Sequence, residues 1–307
     1  MSVSALNFDP PLQRTVARSV SIRGVGVHAG EPVHLELASA PADSGIVFER
    51  VDLQGDETEI RADWRQVVDT RLCTVIANAA GASVSTIEHL MAALAAAGID
   101  NARIRLDGPE VPILDGSAAQ WMSLIGEAGV LPQSSRRRSL RVLRTVRIGD
   151  ADKWAMLVPG RGSRYSVEID FDEPLIGRQR YDFCLAAEAF REQIAPARTF
   201  GFARDVAAMQ AAGRALGGSL DNAVVIDGGQ VLNPGGLRFA DEFVRHKLLD
   251  CVGDLYLAGA RIEGRLIASR PGHALNVDLL RALFAEPAAW CWNDHQAASG
   301  QAVAQAA

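Results

Sequence analysis

Apolar positions along the chain fall into two similar series. Alternating or continuous apolar runs predict strands at residues 33–37 (VHLEL) and 45–51, and again at 140–148 and 163–171. Each pair of strands leads to a helix with a histidine near its start, followed by a short strand. In the first half this is EHLMAALAAAGIDNARI (88–104); in the second it is RHKLLDCVGDLYLAGARI (245–262). His89 precedes its Ala-Arg-Ile by 13 residues and His246 precedes its own by 14. The shared order predicts a duplicated α+β unit, with domains at 1–131 and 141–290. Between them LPQSSRRRSLR breaks the apolar pattern, so 132–140 reads as a solvated linker. Beyond Ala288 the chain turns polar and Ala-rich, which predicts a frayed tail at 291–307.

Composition narrows the class. With 307 residues, 48% hydrophobic and 22% charged, the chain has the length for two ordinary domains and enough apolar content for packed cores. A net charge of −6 argues against a nucleic-acid binder that relies on a basic surface. The N-terminus lacks the apolar core of a signal peptide, and the most apolar helical stretch, 90–97, is too short to cross a bilayer. A cytoplasmic protein without stable membrane insertion is therefore expected. Cys73, Cys184, Cys251 and Cys291 lie far apart with no CxxC pair, so they form neither a disulfide framework nor a zinc knuckle, and mostly buried thiols are expected. Only Lys153 and Lys247 stand among the 31 basic residues, leaving 29 arginines. Where Arg so widely replaces Lys, a surviving Lys marks a place where Arg does not serve, unless chance left it.

The helix expected at 241–256 carries the candidate chemistry. Leu248, Leu249, Val252 and Leu255 form one face, while His246, Asp250 and Asp254 stack at i, i+4 and i+8 on another. An imidazole and a carboxylate four apart on a helix can share one metal ion; the same spacing also describes a solvated polar stripe. His89 offers a third ligand, and two His with one carboxylate leave the open position of a catalytic zinc site. Glu88 beside it could take a proton from water, although Ser85-Thr86-Ile87-Glu88 also reads as a capping box. His273 follows a Pro-Gly turn and is a candidate general acid, with Asp254 to hold its imidazole charged. His34 alternates with Leu35 and Leu37 and should face solvent, His295 sits in the tail, and His28 is undecided. The string around His28, G-x-G-x-x-x-G, misplaces the third glycine of a dinucleotide fingerprint and leads into a strand, so a Rossmann dehydrogenase is disfavoured. No P-loop or G-x-S-x-G elbow is present.

With these residues in hand, the sequence resembles the UDP-3-O-acyl-N-acetylglucosamine deacetylases, zinc enzymes of bacterial lipid A synthesis. Eight strings carry the resemblance in order: GVGVHAG (24–30), DTRLCTVI (69–76), STIEHLMAALAAAGIDN (85–101), DGPEVPILDGSA (107–118), ARTFGFARD (197–205), LGGSLDNAVV (216–225), LRFADEFVRHKLLDCVGDLYLAG (237–259) and PGHALN (271–276). The likeness runs from about residue 15 to 284. It implies two similar α+β domains, each a sheet layered with helices, with the helices packed between the two sheets and the active site at the domain junction. It implies one insert around 63–80 and another around 202–225 that lines a passage for an acyl chain, where Phe200, Phe202, Ala207, Ala211, Ala215 and Leu216 supply apolar surface. The implied metal ligands are His89, His246 and Asp250, holding one zinc ion, though such a site also accepts Fe(II). Glu88 is the implied general base, Thr199 a donor to the developing oxyanion, and His273, oriented by Asp254, the group that protonates the leaving amine. Lys247, Phe200, Arg270, Gly218 and Ala215 are implied to meet the substrate, Arg270 through nucleotide phosphates.

The implied reaction releases acetate from the N-acetyl group and keeps the ester-linked acyl chain, with a small-molecule substrate and no obligate protein or nucleic-acid partner. Three positions depart from the pattern: Ala29 replaces a hydroxyl residue, Arg270 replaces Lys, and Val167 stands where an aromatic under the uracil is found in some relatives. A non-catalytic binder on the same fold, and a hydrolase for another acylated sugar nucleotide, are the alternatives.

Overall fold

The protein is described here by a computed structural model covering residues 12–55 and 57–293. The first half builds a five-stranded sheet in the order Val20–Val25, Pro32–Ser39, Ala102–Leu106, Ile46–Arg50, Glu59–Arg61. Its pairs are antiparallel except Ile46–Arg50 with Ala102–Leu106. A parallel pair needs a long crossover, and helix α1 (Glu88–Ala97) lies within it. Helix α2 (Ala119–Ala128) follows the last of these strands.

The second half repeats the plan. Strands Val146–Gly149, Trp154–Val158, Ile262–Ser269, Ser163–Asp170 and Arg178–Cys184 pair in the same order, again with one parallel pair, Ser163–Asp170 with Ile262–Ser269. Before its crossover helix stand helices α3 (Ala187–Gln193) and α4 (Ala203–Ala211). The crossover itself is α5 (Glu242–Tyr256), and α6 (His273–Ala285) follows. Both inserts occupy the same point of the plan, between the outer strand and the crossover helix. The first holds a small sheet of Val67–Asp69, Val75–Ala77 and Ser83–Val84; the second holds one of Phe200–Phe202, Val224–Asp227 and Gln230–Val231. The duplicated α+β unit is present in these five strands; the second sheet is extended to seven by Ser139–Val142, parallel to Ile262–Ser269, and Trp290–Asn293.

The result is a two-domain α+β fold with helices between the sheets. Helix α5 packs on the strands Ser163–Asp170 and Arg178–Cys184 on one side and on α1 on the other, while α1 packs on α2 and α2 on Val20–Val25. Every residue of α1 is buried, as its apolar, Ala-rich composition requires, and Gly98 ends it in the left-handed conformation at φ 71°. None of the helices among the described residues is long and apolar enough to cross a membrane.

Several expectations are corrected. The stretch read as a solvated linker is strand: Val130–Arg136 pairs antiparallel with Leu12–Val16. Arg137 is buried with its Nε 2.8 Å from Asp100, and Arg138 stacks its guanidinium 4.9 Å over Trp292. Partners this distant in sequence turn a charge run into structure. The strand expected at 140–148 is two, Ser139–Val142 and Val146–Gly149. The expected tail begins too early, because Trp290–Asn293 pairs with Ser139–Val142; His295 lies outside the described residues. Cys73 and Cys251 are buried, but Cys184 is exposed and Cys291 half-buried. His34 lies half-buried on the face of its strand opposite the buried Val33 and Leu35.

Candidate active site

The approach to α1 is not the capping box that its sequence advertises. The Ser85 N–H and hydroxyl both donate to Pro109 O, and the helix has no side-chain cap. Thr86 sits at φ 58°, uncommon for a β-branched residue, with its hydroxyl 2.7 Å from Glu110 Oε1. The buried Glu110 also accepts the N–H groups of His28 and Ala29, tying the glycine loop to the turn before α1. Released from capping, Glu88 instead accepts the Thr74 N–H at Oε2, 3.1 Å away.

Helix α5 brings its polar stripe to the same place. His246, Asp250 and Asp254 are buried, so the stripe is not solvated. Ligand atoms of His89, His246 and Asp250 all lie within 4.8 Å of one another. Asp250 Oδ1 is 3.4 Å from His246 Nε2 and 3.7 Å from His89 Nε2. Donors about 2.1 Å from an ion at tetrahedral angles stand about 3.4 Å apart, which these distances match. His246 Nδ1 faces Ala197 O at 3.1 Å, leaving Nε2 for a ligand. Lys247 Nζ holds Asp250 Oδ2 at 2.8 Å, while Oδ1 is buried with no hydrogen-bond partner among the described residues. An orphaned buried carboxylate oxygen facing two imidazoles is what a cation would satisfy. Burial, before any other cause, pulls His89 down to about 3 and lowers His246, keeping both neutral as ligands must be. Asp250, although burial opposes it, is held below the usual carboxylate range by Lys247 and then His246.

Gly253 lets the two helices meet. A Cβ there would lie 2.0 Å from the backbone O of Glu88, so only glycine allows α5 to approach the first turn of α1 this closely.

A second constellation flanks the first. His273, the first residue of α6, has Nδ1 2.9 Å from Asp254 Oδ2 and Nε2 3.8 Å from Glu88 Oε1. Asn276 donates to the same Asp254 oxygen at 2.8 Å, and the Thr74 hydroxyl donates to Oδ1 at 2.6 Å. Burial lifts Glu88 to about 7, with the His273 charge opposing and the carboxylates of Asp254 and Asp250 assisting. For His273 burial acts downward, yet Asp254 and Glu88 outweigh it and raise the imidazole to about 9. A carboxylate near neutrality beside a charged imidazole suits a base and an acid acting in one reaction.

These groups open onto a cavity of about 350 Å³. Glu88, His89, His246, Lys247, Asp250, His273 and Thr199 line its polar part, and Val27, Ile113, Val206, Met209, Leu220 and Val225 its apolar part. Phe200, Ala215 and Gly218 also line it. Phe200 lies edge-on to Phe243 and Phe171, with Lys247 Nζ 5.7 Å above its ring. Helix α4 turns Val206 and Met209 inward, whereas Ala207 and Ala211 are exposed and Phe202 and Leu216 lie outside the lining. Arg270 is also outside it, at φ 51° on a separate cleft with Trp154, Glu168 and Arg178, paired to Asp170 at 2.9 Å. Val167 is fully buried in its strand and offers no surface to a nucleotide. Thr74, Glu110, Gly253 and Asn276 were not singled out from the sequence. Only Asn276, one turn beyond His273, has a spacing that points to the site.

A family model described as UDP-3-O-acyl N-acetylglycosamine deacetylase matches residues 13–285. The chain belongs to this family. A UDP-3-O-acyl-N-acetylglucosamine deacetylase of Anaeromyxobacter sp. (strain Fw109-5) is 54% identical over 275 residues, covering 90% of this chain and 89% of its own. Proteins of the same name from Shewanella loihica and Haemophilus influenzae (strain PittEE) are 49% and 48% identical over 280 residues, covering 91% of this chain and 91% and 92% of their own. The deacetylase match spans both repeats, from the strand Leu12–Val16 to the end of α6. Membership in this deacetylase family implies a metal-dependent enzyme, and the His89–His246–Asp250 cluster fits an ion.

Proposed function

We propose that this chain hydrolyses the N-acetyl amide of a UDP-3-O-acyl-N-acetylglucosamine, releasing acetate and the free-amine sugar nucleotide for lipid A biosynthesis. The observation that carries the reading is the orphaned Asp250 Oδ1 between two neutral imidazoles, with Glu88 and His273 beside it in a cavity whose other wall is apolar. His89, His246 and Asp250 would hold a zinc ion. Bound there, zinc supplies Lewis acidity, polarising a carbonyl and acidifying water.

The protein's own groups divide the proton work. Glu88 takes the proton of the attacking water, for which a value of about 7 leaves it ionised in a useful fraction at neutral pH. Thr199, in the cavity wall, donates to the oxygen that gains charge as the carbonyl becomes tetrahedral. His273, charged below about 9 and held by Asp254, gives its proton to the departing nitrogen so that the C–N bond breaks to a neutral amine. Lys247 fixes Asp250 and presents its remaining N–H groups to an anionic part of substrate or to acetate. Val206, Met209 and Leu220 exclude water from the acyl chain, which stays attached.

The test is acetate release from UDP-3-O-acyl-N-acetylglucosamine by protein as isolated, after chelation, and after zinc is restored. Loss on chelation with recovery on zinc is expected. No release under any metal overturns the reading.

A further inference from the structure

Resting on the deacetylase reading, we propose that Thr74 is a positioning residue that locks Glu88 and the His273–Asp254 pair into one proton-transfer unit. Thr74 is fully buried, and it touches both partners through different atoms. Its backbone N–H donates to Glu88 Oε2 at 3.1 Å, and its hydroxyl donates to Asp254 Oδ1 at 2.6 Å, across 180 residues of sequence. The other oxygen of Asp254 receives His273 Nδ1 and Asn276 Nδ2. With Asp254 itself fully buried, the Thr74 hydroxyl is the hydrogen bond recorded for Oδ1 among the described residues.

The geometry explains why a hydroxyl is needed. A carboxylate held at only one oxygen can swing about its own bond, carrying the imidazole it orients with it. Two donors on Oδ2 and one on Oδ1 fix the plane of Asp254, and so the direction of His273 Nε2 toward Glu88 Oε1, 3.8 Å away. The residue comes from the first insert, just before the strand Val75–Ala77, so this insert helps to assemble the catalytic groups as well as to border the cavity. Thr74 is not part of the cavity lining; its backbone N–H acts on Glu88, and the effect of its hydroxyl passes through Asp254 and His273.

Three variants test this: Thr74→Val keeps the shape without the hydroxyl, Thr74→Ser keeps the hydroxyl, and His273→Ala removes the group acted on. Thr74→Val should lower kcat about 10- to 100-fold, the usual loss when the partner of an active-site ligand or orienter is removed. KM and metal content by elemental analysis should stay near wild type, the melting temperature should fall by a few degrees as the buried Asp254 Oδ1 loses its donor, and Thr74→Ser should restore kcat. In the Thr74→Val/His273→Ala double variant the losses should not multiply, because the hydroxyl acts only through His273. Wild-type kcat in Thr74→Val, or losses that multiply, overturns the assignment. Should Thr74→Val fail to fold, Thr74→Ala, which cannot overpack the site, is read by the same criteria. Wild-type acetate release in the same assay keeps the two readings apart: its absence sinks the deacetylase reading, whereas its presence with an unimpaired Thr74→Val sinks only this one.

Discussion

Gly253→Ala pits helix propensity against packing, and the structure decides the sign. Gly253 lies inside α5, where replacing glycine by alanine stabilises an exposed helix by about 1 kcal/mol. Here the added Cβ would stand 2.0 Å from the Glu88 O, 2.8 Å from its C and 3.1 Å from its Cα. Non-bonded carbon needs about 3.5 Å, so α5 and α1 must part by about 1.5 Å at this point. The obstacle is backbone in a fully buried helix and cannot rotate aside, which places the cost near the upper end of about 1–3 kcal/mol for overpacking. The net loss is then about 2 kcal/mol, a fall in Tm of roughly 3 °C for a chain of 307 residues. The same parting moves Glu88 and His89 away from Asp250, Asp254 and His273. A misplacement of about 1 Å between reacting groups costs about 100-fold in turnover. Calorimetry and an acetate-release assay on the purified variant measure both effects. A Gly253→Ala protein as stable as wild type, with full turnover, would refute the argument that glycine is there for close approach.

Two further outcomes follow from the charges around the site. In the wild type the alkaline limb of kcat/KM should fall near pH 9, where His273 loses its proton; Asp254→Asn removes the charge that raises it, so the limb should move to lower pH, toward the ordinary histidine value. A pH profile whose alkaline limb stays in place in Asp254→Asn would separate His273 from proton donation. Lys247→Arg should fold normally yet lose about tenfold or more in kcat/KM, because a guanidinium cannot keep the 2.8 Å point contact to Asp250 Oδ2 in the same half-buried space. Unchanged steady-state constants would make the surviving lysine a coincidence of composition.

Much of the architecture was legible in local pattern. The two helices with histidines near their starts, and the Ala-Arg-Ile strands after them, are the crossover units of two equivalent sheets. Periodicity reveals such elements because each needs an apolar face, whatever its neighbours do. The i, i+4 spacing of His246 and Asp250 likewise determines that both can reach one point. It does not say whether that point is solvent or a second helix. The contact with α1 settles this, and turns a stripe that spacing alone leaves ambiguous into buried groups around an orphaned carboxylate oxygen.

The misreadings share a cause. Ser85-Thr86-Ile87-Glu88 has the pattern of a capping box, yet Pro109 takes the serine and Thr74 takes the glutamate. The arginine run at 136–138 looks solvated until Asp100 and Trp292 are placed beside it. By itself the sequence determined the repeated elements, their amphipathic faces and the residue types able to bind a metal and move protons. Only the tertiary structure decided which of those residues meet and which hydrogen bonds each keeps. Short-range pattern specifies what a segment can offer; burial and the desolvation of polar groups by distant partners select what it does.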